Sequence, residues 1–192
     1  MKLDGDYWEN RYTSGNTGWD IGAASTPIKN WLDKQEDKGL KILIPGAGNA
    51  HEVEYAYANG FTNVFVMDIA PTAIKNFKSR NPNFPESNIL IGDFFDLEIT
   101  FDVIIEQTFF CALNPKQRSK YKDKCYTVLK PNGILVGLLF DFPLTEEGPP
   151  FGGSEEEYIT LFSPLFTIYK LDKCKDSINP RLGKELWVEL RK

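Results

Sequence analysis

The stretch KILIPGAGNAHE, at residues 41–52, decides the fold of this chain. It starts with an apolar run typical of a buried strand, continues through a glycine-rich turn and ends in a helical pattern. Gly46 permits a tight turn, and Gly48 lets the backbone approach a bound ligand closely. The small side chain of Ala50 lets the helix pack onto the strand. This order of strand, turn and helix predicts a parallel sheet with crossover helices.

The same alternation of strand and helix patterns continues along the chain. Apolar runs predict further strands at 63–68, 89–91, 101–106 and 134–140. Helical patterns separate several of these strands, at 50–59, 71–80 and about 114–129. Because parallel strands need long crossover connections, this spacing again favours a mostly parallel sheet.

The chain changes character after the fifth strand. Residues 141–153 hold three prolines and three glycines, too many for a regular element. Ser154, followed by three glutamates, is a strong helix start. Two strands near 166–173 and 185–191 are joined by a stretch without a helix-length pattern, so we expect them to pair antiparallel. We therefore predict an α/β fold: a seven-stranded, mostly parallel sheet with an antiparallel last strand pair and helices on both faces.

The first 38 residues differ from the rest. They contain three of the four tryptophans and two short helical patterns. They are too few to form a hydrophobic core of their own. We predict a single domain, residues 1–192, in which residues 1–38 form an N-terminal helical lid and residues 39–192 form the core.

The composition excludes several classes of protein. The 192 residues carry a net charge of −5 and give a sequence pI near 5.0, whereas nucleic-acid binding needs clustered Lys and Arg. One histidine, His51, and three widely spaced cysteines argue against a metal site and a disulfide framework and fit a reducing compartment. No apolar run approaches the ~18 residues of a membrane helix, and no secretory signal is visible. We expect a cytoplasmic monomer that acts on a small molecule, with no metal, nucleic-acid or membrane partner.

Polar residues at the ends of three predicted strands point to a ligand site. Asp68 ends the second strand, where a carboxylate can accept both hydroxyls of a ribose. Asp93 ends the third strand and can accept the amine of adenine, while the ring of Phe94 lies beside the base. Glu106 and Gln107 end the fourth strand. Single acids at strand ends are often ordinary loop residues, but their presence on consecutive strands favours a nucleotide-type ligand.

The glycine pattern separates two classes of nucleotide-binding enzyme. The dinucleotide fingerprint GxGxxG needs its third glycine at position 51, which is His51. Here the third small residue comes one place earlier, at Ala50. The resulting pattern GxGxA is typical of methyltransferases, which need room for an amino acid and a sulfonium rather than a pyrophosphate. A dehydrogenase-like enzyme is disfavoured by this pattern and by the absence of a second catalytic domain in the predicted organisation.

Motifs along nearly the whole chain carry a resemblance to a known family. They are WENRY (8–12), GWD (18–20), IPGAG (44–48), MDI (67–69), GDFF (92–95), FFCAL (109–113), LKPNG (129–133) and GPPF (148–151). The chain resembles the thiopurine methyltransferase-like family of S-adenosylmethionine-dependent enzymes, nearest the branch of halide, thiocyanate and thiol methyltransferases. The resemblance implies the class I methyltransferase (Rossmann-like) fold and S-adenosyl-L-methionine as cofactor.

The resemblance also assigns individual residues to the cofactor. They are Trp8, Tyr12 and Trp19 on the lid, Gly46 and Gly48 at the methionine end, Asp68 at the ribose, Asp93 and Phe94 at the adenine, and Gln107 at a further cofactor or substrate contact. The chain departs from its plant relatives at three places. Tyr12 replaces a second lid tryptophan, Glu106-Gln107 replaces Asp-Tyr, and Phe151 stands where many relatives have Tyr.

The resemblance predicts methyl transfer by in-line displacement to a small soft nucleophile: halide, thiocyanate, hydrosulfide or thiol. Alignment and desolvation can supply most of the catalysis, so no strong base is required, and we interpret His51 as a structural or cofactor-side residue. The candidate residues of the acceptor pocket are Phe109, Phe110, Cys111, Phe142 and Phe151, with Arg181 and Lys184 as charges that either draw in an anion or are simply solvated.

Two alternatives stay open. One is a thiopurine or aromatic thiol S-methyltransferase of the same family. The other is a catalytically inactive S-adenosylmethionine-binding module, which the intact Gly46, Gly48, Asp68 and Asp93 disfavour.

Overall fold

The computed structural model describes residues 2–192, which contain six α-helices and seven strands. In chain order these are α1 (Gly5–Thr13), α2 (Thr26–Asp33), β1 (Ile42–Pro45), α3 (His51–Ala58), β2 (Val64–Asp68), α4 (Pro71–Arg80), β3 (Ile89–Ile91), β4 (Phe101–Gln107), α5 (Arg118–Val128), β5 (Leu129–Phe140), α6 (Glu155–Phe162), β6 (Thr167–Lys173) and β7 (Glu185–Arg191). The strand order is β3-β2-β1-β4-β5-β7-β6. The pairs β1–β2, β2–β3 and β4–β5 are parallel, and β7 runs antiparallel to both of its neighbours, β5 and β6. The predicted seven-stranded, mostly parallel sheet with an antiparallel last strand pair is therefore confirmed.

The chain divides into two compact units, of which the first ends at Leu97 and the second is Glu98–Lys192. In the first unit, β1, β2 and β3 pair in parallel, and every residue of β1 and β2 is buried, as expected for parallel strands covered on both faces. Helix α1 packs against α4, and α2 packs against α3. The predicted lid thus belongs to the same compact unit as the first three strands. The division into residues 1–38 and 39–192 stays a prediction.

In the second unit, β4 pairs in parallel with β5, and β5 pairs antiparallel with β7. The strand β5 starts at Leu129 rather than at the predicted Ile134, because Leu129 already pairs with Phe101 before the register shifts. Gly137 lies opposite Glu106, and a Cβ at this position would overlap the backbone carbonyl of Glu106. Only glycine therefore allows this close approach of the two strands.

The remaining elements follow from local sequence. The side chain of Ser154 accepts a hydrogen bond from the backbone N–H of Glu157 and so caps α6, as predicted. Pro71 occupies the first turn of α4. The three cysteines are buried and unbridged. Within residues 2–192, every helix falls short of the length and apolar character that a membrane crossing requires.

Candidate active site

The glycine turn between β1 and α3 has the backbone conformation that its sequence predicts. Gly46 and Gly48 have φ values of 56° and 58°, a region that is strained for residues with a side chain. A Cβ on Gly48 would lie 2.5 Å from the hydroxyl oxygen of Tyr12, which is too close for any larger residue. Gly48 is therefore needed both for the turn and for the approach of the lid.

Asp68 joins the end of β2 to this turn. Its Oδ2 accepts a hydrogen bond from the backbone N–H of Gly48 at 2.8 Å, and its Oδ1 accepts one from Ala70 at 2.8 Å. Burial raises the pKa of Asp68, while these backbone N–H groups oppose the rise. The backbone N–H of Ile69 also contributes. Because a carboxylate can accept about four hydrogen bonds, Asp68 keeps acceptor capacity for a ligand hydroxyl.

The lid contributes an aromatic cluster beside Gly48. The rings of Trp8 and Trp19 meet edge to face with centroids 5.5 Å apart, and those of Tyr12 and Trp19 do so at 5.8 Å. The guanidinium of Arg11 lies 5.0 Å from the centroid of the Trp19 ring. The structure thus brings together Trp8, Tyr12, Trp19 and Gly48, and the cluster already holds one cation by cation–π contact.

A polar connection that was not predicted from the sequence joins the N-terminal segment to the glycine turn. Asp20 accepts a hydrogen bond from the side-chain amide of Asn49, and its Oδ1 lies 3.0 Å from Nε2 of His51. Its Oδ1 also accepts a hydrogen bond from the backbone N–H of Gly22 at 2.8 Å. Burial alone would raise the pKa of Asp20, but these hydrogen bonds and the nearby His51 lower it. The only available signal was the position of Asp20 in the GWD motif.

The two residues expected at the adenine lie in different environments. Asp93 is exposed, and its Oδ1 accepts a hydrogen bond from the backbone N–H of Phe95 at 2.9 Å. The side chain of Phe94 is 3% exposed and packs edge-on against Phe95. Asp93 is thus open to a ligand, whereas Phe94 belongs to the core of the first unit. Their roles at the adenine stay predictions.

In the second unit, Glu106 is the centre of a buried hydrogen-bond network. Its Oε1 accepts hydrogen bonds from the backbone N–H groups of Phe109 and Phe110 at 2.8 and 2.9 Å. Its Oε2 accepts one from the hydroxyl of Tyr121 at 2.5 Å. Burial raises the pKa of Glu106 to about 7, although all three donors oppose the rise. The network holds the chain immediately after β4, where Thr108 has a φ of 57°.

A small cavity lies next to this network. It has room for a group about the size of one water molecule. Its lining residues come from the end of β4 and the turn after it, from the end of β5 and from the start of β7: Glu106, Thr108, Cys111, Leu138, Leu139, Phe140 and Glu185. Ligands of parallel sheets bind at the carboxyl ends of the strands, which is where β4 and β5 place this cavity.

The predicted acceptor-pocket residues are divided between this cavity and the core. Cys111 lines the cavity, and Arg181 lies beside it, with a guanidinium nitrogen 3.6 Å from Oε1 of Glu185. Phe110 is buried among aromatic rings, with the centroid of Tyr121 at 5.1 Å. Phe151 is also buried, and its backbone N–H donates to the carbonyl of Cys111 at 2.8 Å. Phe109 is half-buried, and its ring meets Tyr121 at 6.0 Å.

Gln107 at the end of β4 has an acceptor without a protein partner. Its side chain is 9% exposed, and its Oε1 makes no hydrogen bond within the described residues. A buried amide oxygen normally has a donor, so this atom is suited to a hydrogen bond from a ligand. The cofactor or substrate contact of Gln107 stays a prediction.

The irregular segment 141–153 is held at its C-terminal end. The guanidinium of Arg118, at the start of α5, donates to the carbonyl of Gly152 at 2.6 Å and lies 4.7 Å from the centroid of the Phe110 ring. Gly153 forms a bridge with Phe142 across the segment. These contacts fix the segment that follows β5.

Comparisons with known proteins agree with this arrangement. The family model of thiopurine S-methyltransferase matches residues 3–189. A probable thiol methyltransferase 2 of Arabidopsis thaliana is 30% identical over 184 residues, covering 93% of this chain and 81% of that protein. Thiocyanate methyltransferase 1 of Brassica oleracea is 28% identical over 184 residues, with the same coverage. Thiopurine S-methyltransferase of Vibrio cholerae is 24% identical over 212 residues, covering 96% of this chain and 97% of that protein.

Solved structures share the fold at lower identity. A 1,6-didemethyltoxoflavin-N1-methyltransferase of Burkholderia thailandensis, with bound S-adenosylhomocysteine, has a TM-score of 0.78 at 20% identity, covering 98% of this chain and 86% of the other. The magnesium protoporphyrin IX methyltransferase of Synechocystis, with bound S-adenosylmethionine, has a TM-score of 0.75 at 12% identity, covering 100% of this chain and 98% of the other.

The fold and the glycine turn define a class I S-adenosylmethionine-dependent methyltransferase. The residues fit the cofactor on two observations: the turn at Gly48 leaves no room for a Cβ, and the buried carboxylate of Asp68 retains acceptor capacity beyond its backbone hydrogen bonds. More narrowly, the chain belongs to the thiopurine S-methyltransferase family, and its cofactor is S-adenosyl-L-methionine. The predicted family, fold and class of enzyme are confirmed.

Proposed function

We propose that this methyltransferase transfers the methyl group to a small soft nucleophile: a halide, thiocyanate, hydrosulfide or thiol. The observation that carries the proposal is the size of the cavity at the ends of β4 and β5, which has room for about one water-sized group. A space of this size suits one small end group of an acceptor, whereas a fused aromatic ring would not fit it. The names of the two plant relatives, a probable thiol and a thiocyanate methyltransferase, support the same choice.

The cofactor supplies a methyl group on a sulfonium, which a soft nucleophile can displace in line. We propose that the lid aromatics, the glycine turn, Asp68 and the strand-end residues hold it: Trp8, Tyr12, Trp19, Gly46, Gly48, Asp68, Asp93, Phe94 and Gln107. Faces of Trp and Tyr stabilise a cation by about 0.5–2 kcal/mol, depending on how far water is excluded. The burial of Tyr12 and its contacts with Trp19 support a role for the lid in excluding water.

The chain's own part in the reaction is alignment and desolvation. Asp68 and the turn would fix the ribose and methionine ends, and the buried Gln107 would donate or accept at the acceptor side. The cavity is lined by Cys111 and the side chains of β5, which would strip water from the nucleophile. Holding two reactants in contact can by itself lower a barrier by about 7–11 kcal/mol.

The compartment and assembly of the enzyme belong to the same proposal. Three buried, unbridged cysteines support a reducing compartment such as the cytoplasm. We propose a monomer, with the methyl acceptor as its only other small-molecule partner.

A thiopurine or aromatic thiol is the second candidate for the acceptor, and the similarity to the Vibrio cholerae enzyme favours it. The experiment that separates the two candidates incubates the full chain with S-adenosylmethionine and either iodide, thiocyanate, hydrosulfide or a thiopurine. Volatile methyl products are measured in the headspace, and methylated thiopurine is measured by absorbance. We expect volatile products; methylation of the thiopurine alone would refute the proposal.

A further inference from the structure

The cavity at the ends of β4 and β5 is lined by two buried carboxyl groups. The side chains of Glu106 and Glu185 are 1% and 2% exposed. The charged group that faces them is the guanidinium of Arg181, 3.6 Å from Oε1 of Glu185. When Glu106 and Glu185 are both ionised, their two negative charges exceed the one positive charge of Arg181. An anion that enters the cavity is then repelled, and the buried site contains little water to screen the repulsion.

The pKa of Cys111 indicates how the surroundings of this cavity affect the protonation of a thiol. Cys111 lines the cavity, and its thiol donates to the carbonyl of Thr108, another lining residue, at 3.4 Å. Burial raises the pKa of this thiol well above the usual range. Glu106 raises it further and Glu185 adds to the effect, whereas Arg181 acts in the opposite direction. The thiol of Cys111 is therefore held neutral. The thiol of a bound acceptor would meet the same surroundings and would also stay protonated until it reacts.

We propose that this cavity binds the SH group of a neutral thiol acceptor and discriminates against anions, and that Glu106 accepts the thiol proton as the sulfur is methylated. The inference rests on the proposed function and narrows its substrate class. In the transfer, the S–H bond breaks and its proton passes to the Glu106 carboxylate. The electron pair of that S–H bond stays on the acceptor sulfur. A pair on this sulfur forms the new bond to the methyl carbon while the bond between the methyl carbon and the sulfonium sulfur breaks, and the pair of that second bond stays on the donor sulfur. The products are a methyl thioether and the demethylated donor, and Glu106 returns its proton to water.

The hydrogen bonds of Glu106 leave it able to take this proton. Its Oε1 accepts two hydrogen bonds, while Oε2 accepts one, from Tyr121, and keeps a second lone pair. Because the pKa of Glu106 is about 7, it is mostly ionised at pH 8 and mostly protonated at pH 6. The titratable and charged side chains around it are Arg118, Tyr121 and Cys125 of α5, Cys111 after β4, Tyr158 of α6, Arg181 before β7 and Glu185 of β7.

The first test compares two acceptors across pH with the wild-type enzyme. kcat/KM is measured for an alkane thiol and for thiocyanate between about pH 5.5 and about pH 8.5. For the thiol we expect a rise of about tenfold per pH unit that levels off near pH 7, and for thiocyanate a fall over the same range. If thiolate formed in solution were the nucleophile, the thiol profile would continue to rise above pH 7, which would overturn the inference.

The second test measures binding instead of turnover. Calorimetric titration of the S-adenosylhomocysteine-loaded protein with potassium thiocyanate should give a dissociation constant about tenfold lower at pH 6 than at pH 8. The variant Glu106→Gln should bind thiocyanate with a clearly weaker dependence on pH, because only Glu185 of the two cavity acids still titrates, and should lose about 100-fold or more of kcat/KM for the thiol only. The exposed Glu156→Gln on α6 is the matched control and should behave as wild type.

The outcomes separate this inference from the proposed function. Parallel pH profiles for the thiol and thiocyanate, or equal losses for both in Glu106→Gln, would overturn the inference and leave the proposed function standing. Failure to methylate either acceptor, by a protein that binds S-adenosylmethionine, would instead overturn the proposed function and the inference with it. Should Glu106→Gln not fold, the wild-type profiles and titrations decide alone.

Discussion

Replacing Glu106 by Gln is expected to change how the stability of the protein depends on pH. In the folded chain burial raises the pKa of Glu106 from 4.5 to about 7, whereas in the unfolded chain the solvated side chain keeps its ordinary value. The folded state therefore binds this proton more tightly than the unfolded state. The contribution of Glu106 to the free energy of unfolding is fully present below about pH 4.5 and falls as pH rises to about 7.

The size of the effect follows from the two pKa values. One pH unit between them corresponds to about 1.4 kcal/mol, so ionised Glu106 lowers the free energy of unfolding by about 3 kcal/mol above pH 7. The donors Phe109, Phe110 and Tyr121 are already included, because they oppose the effect of burial. Glutamine has nearly the same shape and does not titrate. Its amide oxygen can accept from the two backbone N–H groups, and its amino group can donate to the hydroxyl of Tyr121.

Urea unfolding followed by tryptophan fluorescence at about pH 5, 6, 7 and 8 measures the effect. The free energy of unfolding of Glu106→Gln, minus that of wild type, should increase with pH and reach a plateau above pH 7. Asp68 and Glu185, whose pKa values burial also raises, are present in both proteins and cancel in this difference. A difference that is constant with pH, or that grows towards low pH, would refute the reasoning; Glu156→Gln should show no dependence.

Three further changes test the first unit. Asp68→Ala should weaken S-adenosylmethionine binding by about 1–3 kcal/mol in calorimetric titration, because the ribose hydroxyls of the bound cofactor would lose their buried acceptor. An unchanged dissociation constant would remove Asp68 from the site. Gly48→Ala should lower the free energy of unfolding by at least about 1–2 kcal/mol, which is the cost of a positive φ for alanine. The new Cβ would also lie 2.5 Å from the Tyr12 hydroxyl, which adds a steric cost. Adding Tyr12→Phe to this variant should therefore recover part of the stability lost to the steric contact. Asp20→Asn should speed amide hydrogen exchange in the N-terminal segment, because it weakens the contact between residue 20 and His51. Asp6→Asn, on the exposed side of α1, is the control. Equal exchange in both variants would argue against the contact with His51.

The elements that sequence predicts well are those specified by neighbouring residues. The bounds of α4 and β3 agree with prediction because Pro71 starts the helix and the apolar run Ile89–Ile91 is short and bounded by turns. Asp68 and Gly48 could be paired as site residues because strand, turn and helix follow directly in the sequence. Their hydrogen bond was not needed to find them.

What the sequence does not reveal depends on partners that are distant along the chain. The insertion of β7 between β5 and β6 is decided by register and burial, so antiparallel pairing could be predicted but the order could not. The contact of Glu106 with Tyr121 and that of Asp20 with His51 join residues on different elements. A phenylalanine can line a pocket or pack in the core, so the sequence does not distinguish these two roles for Phe110 and Phe151. The packing shows that both are buried.

The close approach of β5 to β4 at Gly137 also affects how this enzyme could acquire new substrates. Substrate range in related folds usually changes through loops, which tolerate insertion and replacement. Here the two carboxyl groups of the cavity stand on strands, and the backbone contact at Gly137 holds Glu106 in place. The segment 141–153 adjoins the cavity through Phe151, whose backbone N–H donates to the carbonyl of Cys111. Variation there can therefore alter the surroundings of the cavity, while under the proposed role of Glu106 the preferred charge of the acceptor stays with the sheet. An enzyme engineered for a larger thiol could be sought in that segment, whereas one for an anion would require a change within the sheet.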